Sequence, residues 1–580
     1  MKHLFTSPRK LFFSLFLTLG VSVSFGFSDR LFEIARHLDL FATVFREVNR
    51  VYVEEVSPGQ LLNVGVEAML SSLDPYTEFV DERHLEDYRM NYVTTQYAGI
   101  GASFFTKENQ VIVGEPLEGF AAHKGDLRAG DVLLKINGIS LEGKTYEEVN
   151  TLLKGQTNTT IRLLVERQGE PEPLDKVIVR ETITSRNVPY YGMLTDEVGY
   201  IKLNRFLINS AREVREAFLS LKEKNKMTSL VLDLRGNGGG IVQESVSIVN
   251  LFVERGQPIV VQKGRTKKTD MVYKAIHQPL DARMPLVVLV DENSASASEI
   301  VAGAIQDLDR GSIIGQRTFG KGLVQQTMPI SHSTLLKLTV GRYLTPTGRC
   351  LQALDYAHRD EEGNGQKWSD SLLREYKTRH GRVVYDGSGI CPDIVTKEKK
   401  RAPIVQSLLA QSLPFAFSTL YRSQHPSISS PRTFQVSDST YAAFVRFVAG
   451  RNVGYASTTE LALADLKSQA LETGQFGVIQ AEIEALQEKI TRSKQEDLFT
   501  YKEEIKQVLE NEIVARYYLQ TGKTQASFKH DPDLAEAIRV LHDPKLYVSI
   551  LRGDGPFKVI GRPKADALVK ANAAPPGGRN

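Results

Sequence analysis

Leu286-Val287-Val288-Leu289-Val290-Asp291-Glu292-Asn293-Ser294-Ala295-Ser296-Ala297-Ser298-Glu299-Ile300 carries the chain from an apolar strand, through a serine-rich junction, into a helical run that reaches Asp307. The unbroken run Leu286 to Val290 reads as a strand buried on both faces. Tyr200-Ile201-Lys202-Leu203 and Leu230-Val231-Leu232-Asp233 repeat the pattern, and helices alternate with strands from Val198 to about Thr396. That alternation predicts an α/β core. At a strand-to-helix junction a small side chain is exposed and free backbone N–H groups point at whatever binds there. Such a place suits a nucleophilic serine, although serines before a helix more often serve as N-caps.

Two further blocks carry chemistry. In Phe319-Gly320-Lys321-Gly322-Leu323-Val324-Gln325 a lone lysine sits between glycines in an otherwise apolar segment. An apolar setting lowers a lysine from its ordinary value of ~10.4, so that the neutral amine can act as a base; a surface hairpin lysine is the plainer reading of the same residues. Asp233-Leu234-Arg235-Gly236-Asn237-Gly238-Gly239-Gly240 follows a buried strand directly, and a glycine-rich turn of this kind aims backbone N–H groups at a phosphate or an oxyanion. No Gly-Lys-Ser/Thr follows it, so it is not a P-loop. There is no G-x-S-x-G elbow, and the sole S-x-x-K, Ser7 to Lys10, lies near the N-terminus.

These blocks, together with Leu73-Asp74-Pro75, Gly130-Asp131, Thr345-Pro346-Thr347-Gly348-Arg349 and Gly389-Ile390-Cys391-Pro392-Asp393-Ile394, resemble the carboxyl-terminal processing protease family, also called tail-specific proteases, over roughly residues 40–396. The resemblance implies a Ser/Lys dyad: Ser296 as nucleophile, Lys321 as general base, and Gln325, a helical-turn spacing further on, holding the lysine. It implies an oxyanion hole from the N–H groups of Gly239 and Ala297, with Asp307 as an accessory position that reads equally well as a surface acid at a helix C-terminus. Ser294 and Ser298 are expected to be structural hydroxyls. The implied reaction passes through an acyl-enzyme.

The implied fold is a multi-domain α+β chain: a crotonase-like α/β protease core with an inserted PDZ domain, an N-terminal helical platform and a C-terminal helical extension. The expected divisions are 1–27 signal peptide or N-terminal anchor, 28–95 helical region, 96–170 PDZ domain, 171–400 protease core, 401–562 helical domain and 563–580 disordered tail. Short β-rich runs between Tyr97 and Arg167, with one helix from Tyr146 to Leu153, carry the PDZ reading. Gly99-Ile100-Gly101 would be its carboxylate loop, and Val149, Leu152 and Leu153 would line the peptide groove. An ordinary β-turn explains a bare G-x-G as well. Within the helical region Leu31, Ile34, Ala35, Leu38, Phe41, Val44, Phe45, Val48 and Val51 form a stripe expected to face a core. Leu461, Ala464, Leu466 and the 480–516 stretch carry apolar residues at three- and four-residue steps, and Asp531-Pro532-Asp533 caps another helix ending near Leu551.

Composition narrows the class. A length of 580 residues exceeds one core, and 41% hydrophobic with 24% charged residues is ordinary for a globular protein. The net charge of +3, from 72 basic and 69 acidic residues, gives no reason to expect nucleic acid. Lys2, Arg9 and Lys10 precede an apolar run from Leu11 to Leu19 that weakens toward Phe27, the layout of an export signal with a poor cleavage site after Gly26. An uncleaved inner-membrane anchor is the alternative, and both place the body in the periplasm or cell envelope. Protein or peptide C-termini are the expected substrates, with a homo-oligomer or an adaptor protein left open. The two cysteines, Cys350 and Cys391, exclude a cysteine zinc site; they fit one disulfide or two independent buried thiols. No metal or cofactor is expected. Two other classes compete: a crotonase-like acyl-CoA enzyme, opposed by Lys321 and the PDZ-like segment, and a non-catalytic PDZ scaffold, opposed by the intact Ser296, Lys321 and Gln325.

Overall fold

The computed structural model describes residues 8–561, except 86–87, 90–95, 267–269, 332, 398–399, 450, 452 and 456. The tail expected over 563–580 and the first seven residues of the expected export segment lie outside the described residues. The chain divides into two compact units, Met1–Val80 with Thr327–Leu338, and Asp81–Gln326 with Thr339–Asn580.

In the smaller unit, α1 (Pro8–Val51) is a single helix of 44 residues. Leu31, Ile34, Leu38, Phe41, Val44 and Val51 are exposed on it, which corrects the expectation that this stripe faces a core: only Phe45 and Val48 are half-buried. The periodicity reports an apolar face and does not say what covers it. Helix α2 (Pro58–Ser71) starts at the N-cap Ser57 with Pro58 in its first turn, where the missing N–H costs nothing. The turn after it is closed by buried Asp74, which accepts the N–H groups of Tyr76 at 2.8 Å and Thr77 at 2.9 Å. Strand β1 (Glu78–Val80) then pairs antiparallel with residues 335–337. No helix among the described residues is long and apolar enough to cross a membrane.

The larger unit begins with a small β domain. Its strands are β2 (Gln96–Gly99), β3 (Ala102–Lys107), β4 (Gln110–Pro116), β5 (Val132–Ile136), β6 (Ile139–Ser140), β7 (Thr160–Glu166), β8 (Leu174–Val179) and β9 (Glu181–Thr184). The main sheet runs β3-β4-β5-β7-β8, with β3 at its edge, and β2 pairs with β9. Helix α3 (Tyr146–Leu153) starts in a capping box between Thr145 and Glu148 and packs into the domain core.

The next layer is a six-stranded sheet in the order β10 (Tyr190–Met193), β11 (Val198–Lys202), β12 (Ser229–Asp233), β15 (Leu286–Val290), β16 (Ser312–Gly315) and β19 (Ile394–Val395), antiparallel only between β10 and β11. Side chains alternate between two cores, as the two-residue period of a strand requires. Ile201, Leu230, Leu232, Leu286, Val288 and Ile313 meet α4 (Ser210–Asn225), α5 (Val242–Asn250) and α6 (Ala297–Asp307). Val198, Tyr200, Val231, Val287, Leu289 and Ile314 face the other way. The strands β13 (Pro258–Gly264) and β14 (Met271–Lys274), residues 323–326 of β17 (Leu323–Ser331) and residues 339–344 of β18 (Thr334–Leu344) complete this region; residues 341–344 of β18 pair with β13.

The second face of the sheet is covered from far along the chain. After α7 (Pro403–Ala410), α8 (Leu413–Gln424), α9 (Asp438–Val448), α10 (Thr458–Glu472), α11 (Phe476–Thr500) and α12 (Lys502–Ser527) come α13 (Pro532–His542) and α14 (Pro544–Arg552). Helices α7, α8, α9 and α12 build a core of their own around Leu408, Phe417, Phe444 and Leu509. Leu534, Ala537, Val540 and Leu541 of α13, with Tyr547 and Ile550 of α14, instead pack onto the sheet. The Tyr547 hydroxyl accepts the Leu286 N–H at 2.9 Å, seating α14 on the central strand.

Candidate active site

The carboxyl end of β15 delivers the serine run to the first turn of α6. Ser294 donates to the Leu234 carbonyl at 2.9 Å and Ser298 to the Asn237 carbonyl at 2.7 Å, and both residues are fully buried. These hydroxyls tie the junction to the glycine turn. Ser296 stands between them as the N-cap residue of α6, with φ 56° and ψ −112° and 8% of its surface exposed. A non-glycine residue held at positive φ costs of order 1–3 kcal/mol and persists only where its surroundings enforce it.

Glu299 supplies that enforcement. Its carboxylate is completely buried and accepts four hydrogen bonds: from Ser296 N–H at 2.9 Å and Lys321 N–H at 2.8 Å on Oε2, and from Thr318 hydroxyl at 2.6 Å and Gly320 N–H at 2.8 Å on Oε1. The serine junction and the lysine loop are thereby held on one carboxylate. Burial pushes the Glu299 carboxyl above its ordinary value, against the four donors that favour its ionised form. Sequence reasoning assigned Glu299 no role, although Ser296-Ala297-Ser298-Glu299 has the S-x-x-E spacing of a capping box.

Glycines make the close approach of the loops feasible. A Cβ on Gly239, which sits at φ +99°, would fall 2.8 Å from Ser296 Cβ and 2.9 Å from the Ala297 nitrogen. A Cβ on Gly320, at φ +87°, would meet the Ala353 Cβ at 2.5 Å, and one on Gly322 would meet the Gln352 nitrogen at 2.6 Å. Gly239 and Ala297 therefore lie together beside Ser296. The Ala297 N–H has no acceptor among the described residues, whereas the Gly239 N–H donates to Asn237 Oδ1 at 3.0 Å.

Gln325 lies on strand β17, not on a helix, so the four-residue step from Lys321 is not a helical turn; its amide donates to the Thr339 hydroxyl at 3.2 Å. Asp307 is not a surface acid. It is buried at the far end of α6, about 16 Å along the axis from Ser296, in an ion pair with Arg349 at 2.7 Å, and it accepts the Thr347 hydroxyl at 2.6 Å. It braces the Thr345 to Arg349 turn and does not face the serine hydroxyl.

In the β domain Gly99 ends β2 and Gly101 sits at φ +76°. The Ile100 and Gly101 carbonyls accept the Ala122 and Leu117 N–H groups, each at 2.8 Å. Ile100, Val149 and Leu153 are buried in the domain's own core, and Leu152 packs at its margin. The helix face read as a groove wall is thus closed inward here, while the edge of β3 beside it carries no partner strand among the described residues. Cys350 and Cys391 are free thiols.

Comparison with known proteins turns this arrangement into a kinship. The model of peptidase family S41 matches residues 197–357 and a PDZ domain model matches 112–167. The model described as "Probable PDZ-protease, C-terminal helical domain" matches 404–541. The "Carboxy-terminal-processing protease" of Bartonella bacilliformis is 33% identical over 322 residues, 55% of this chain and 73% of that one. The chain belongs to the carboxy-terminal-processing protease family. It is a serine-type peptidase with a PDZ domain, a peptidase S41 core and a C-terminal helical domain. A "Probable CtpA-like serine protease" of Staphylococcus aureus is 34% identical over 315 residues, 54% of this chain and 62% of that one. Among solved structures, a photosystem II D1 C-terminal processing protease is similar at 28% identity and a TM-score of 0.32, covering 57% of this chain and 91% of its own.

Proposed function

We propose that this protein is an exported serine endopeptidase that engages protein C-termini through its PDZ domain and cleaves peptide bonds with a Ser296/Lys321 dyad on a crotonase-like core. The observation that carries the dyad is the shared carboxylate oxygen: Glu299 Oε2 accepts the backbone N–H of both Ser296 and Lys321, so nucleophile and base belong to one bonded unit. In the proposed reaction the neutral Lys321 amine takes the Ser296 hydroxyl proton as Oγ attacks the substrate carbonyl. The tetrahedral oxyanion is held by the Ala297 N–H and by the Gly239 N–H, which exchanges its bond to Asn237 Oδ1 for the substrate oxygen. Lys321 returns the proton to the leaving amine, and then activates the water that releases the acyl group. Gln325 orients the lysine from β17, and Asp307 acts on the site only through the scaffold.

Export rests on the basic and apolar N-terminal segment, and the edge of β3 next to Gly99-Ile100-Gly101, which has no second partner strand among the described residues, is where a C-terminal peptide would add as a strand. The test is digestion of casein and of a peptide with a free apolar C-terminus by Ser296→Ala and Lys321→Ala. Each variant should lose essentially all activity while keeping its fold, because the two groups act as one unit. Wild-type turnover in either variant removes the dyad.

A further inference from the structure

The glycine turn that brings Gly239 against Ser296 has little rigidity of its own: Gly236, Gly239 and Gly240 all sit at positive φ, at 70°, 99° and 148°. It is held from outside. Gly236 N–H donates to Asp291, the Asn237 amide donates to the Leu203 carbonyl at 2.8 Å, and Phe206 N–H donates to the Gly239 carbonyl at 3.2 Å. Those anchors come from the protease core itself. Arg235 is the anchor that does not.

Its guanidinium pairs with Asp233 at 2.7 Å and then reaches across nearly three hundred positions of sequence to Asp531 at 2.8 Å and Asp533 at 2.9 Å. Lys202 completes the cluster, donating to Asp233 at 3.2 Å and to the Arg235 carbonyl at 2.6 Å. Asp531 is presented rigidly. It is the N-cap of α13, accepting the Asp533 and Leu534 N–H groups, and α13 is fastened to the sheet by Leu534, Ala537 and Val540. A fork of five donors read by carboxylates from fixed elements fixes position as well as charge.

We infer that Asp531 and Asp533 are positioning residues for proteolysis: through Arg235 they hold the glycine turn, and with it Gly239, against Ser296 and Ala297. The inference rests on the proposed oxyanion role of Gly239, and it makes the C-terminal helices part of the catalytic apparatus rather than an appendage. The cluster lines a cavity of about 630 Å³ at the carboxyl ends of the parallel strands, with Asp531 partly exposed to it and Asp533 buried in its wall.

The test is steady-state kinetics of the full chain on a peptide with a free C-terminus, comparing Asp531→Asn, Asp533→Asn, the double variant and Ser296→Ala. Asparagine caps a helix as well as aspartate does, so α13 keeps its start while the charge is lost. The double variant should unfold cooperatively, keep KM within about twofold, and lose about tenfold or more in kcat, the sign of an interaction realised in the transition state. A folded double variant with wild-type kcat, or with raised KM alone, overturns the inference. Should the double variant not fold, Asp533→Asn, which leaves the cap intact, decides by the same criterion. Loss of activity in Ser296→Ala beside wild-type kcat in the charge variants rejects the positioning role alone; full activity in Ser296→Ala rejects the underlying catalytic reading.

Discussion

Four donors from three segments, the serine junction, Thr318 and the Gly320-Lys321 loop, converge on the buried carboxylate of Glu299. Glu299→Gln keeps the size of the side chain and replaces one acceptor oxygen with an NH₂ that must face two N–H groups, or an N–H and a hydroxyl. Leaving buried donors unsatisfied in this way costs about 2–5 kcal/mol. Glu299→Gln should therefore lower the midpoint of urea unfolding and abolish proteolysis although it touches no substrate; a variant with wild-type stability and turnover would show that the carboxylate is not what holds the loops. At Lys321 the expected asymmetry is chemical. Lys321→Arg keeps a long basic side chain and the backbone bond to Glu299, yet arginine stays protonated at accessible pH and cannot take the Ser296 proton, so casein digestion should stop while the unfolding midpoint stays near that of the parent. The cysteines offer a third residue-level check. Burial pushes both thiols above their ordinary value, so Cys350 and Cys391 should react slowly with a thiol reagent in the folded protein and fully after denaturation. Finding a single disulfide in place of two thiols would restore the staple that the spacing permits.

At the scale of elements, β15 and α6 were legible because their signals are local. Five successive branched or large apolar residues leave few alternatives to a buried strand, and the serine run before a helical stretch marks the junction. The conformation of Ser296 was only half legible: the S-x-x-E spacing marks the bond from Ser296 N–H to Glu299, but the positive φ depends also on the close approach of Gly239 from a distant turn, which leaves no mark in the local sequence. Gln325 shows the same limit from another side: a four-residue step means one face of a helix or one face of a strand, and only the pairing with the 334–344 strand decides between them. In the PDZ domain, α3 presents Val149, Leu152 and Leu153 on one face as its period requires, but that face closes on the core. The edge of β3, with the Gly99-Ile100-Gly101 loop at its start, has no second partner strand among the described residues, so recognition should lean on backbone bonds to a carboxylate more than on a deep apolar groove. Amidating the C-terminus of a cleaved peptide should raise its KM several-fold or stop cleavage, while equal turnover of free and amidated peptides would remove the domain from substrate recognition.

Across the whole molecule the sheet is a shared element. Its first face is covered by helices α4, α5 and α6, which alternate with the strands in sequence, so periodicity alone foretold that layer. Its second face is covered by α13 and α14, after an intervening helical core built from α7, α8, α9 and α12. The cap Asp531-Pro532-Asp533 announced one further helix ending near Leu551 but could not name the surface it meets, and an expected division near residue 400 left it with the helical extension; the structure breaks it into α13 and α14 at Pro544. The two views make opposite predictions about a chain ending near residue 400. If the core were self-sufficient, such a chain would fold and stay soluble. With α13 and α14 removed, Val198, Tyr200, Val231, Val287, Leu289 and Ile314 lose their cover. Each such side chain is worth about 1.5–3 kcal/mol of burial, and their sum rivals the 5–15 kcal/mol by which a domain of this kind is stable. A chain ending before Asp531 should therefore be insoluble or unfolded by circular dichroism. In the intact chain, Leu534→Ala and Ile550→Ala should each cost about 2–5 kcal/mol in denaturant unfolding, as cavities in a packed core do. A soluble truncated chain with a cooperative transition, or alanine variants within about 0.5 kcal/mol of the parent, would return α13 and α14 to the status of an independent extension.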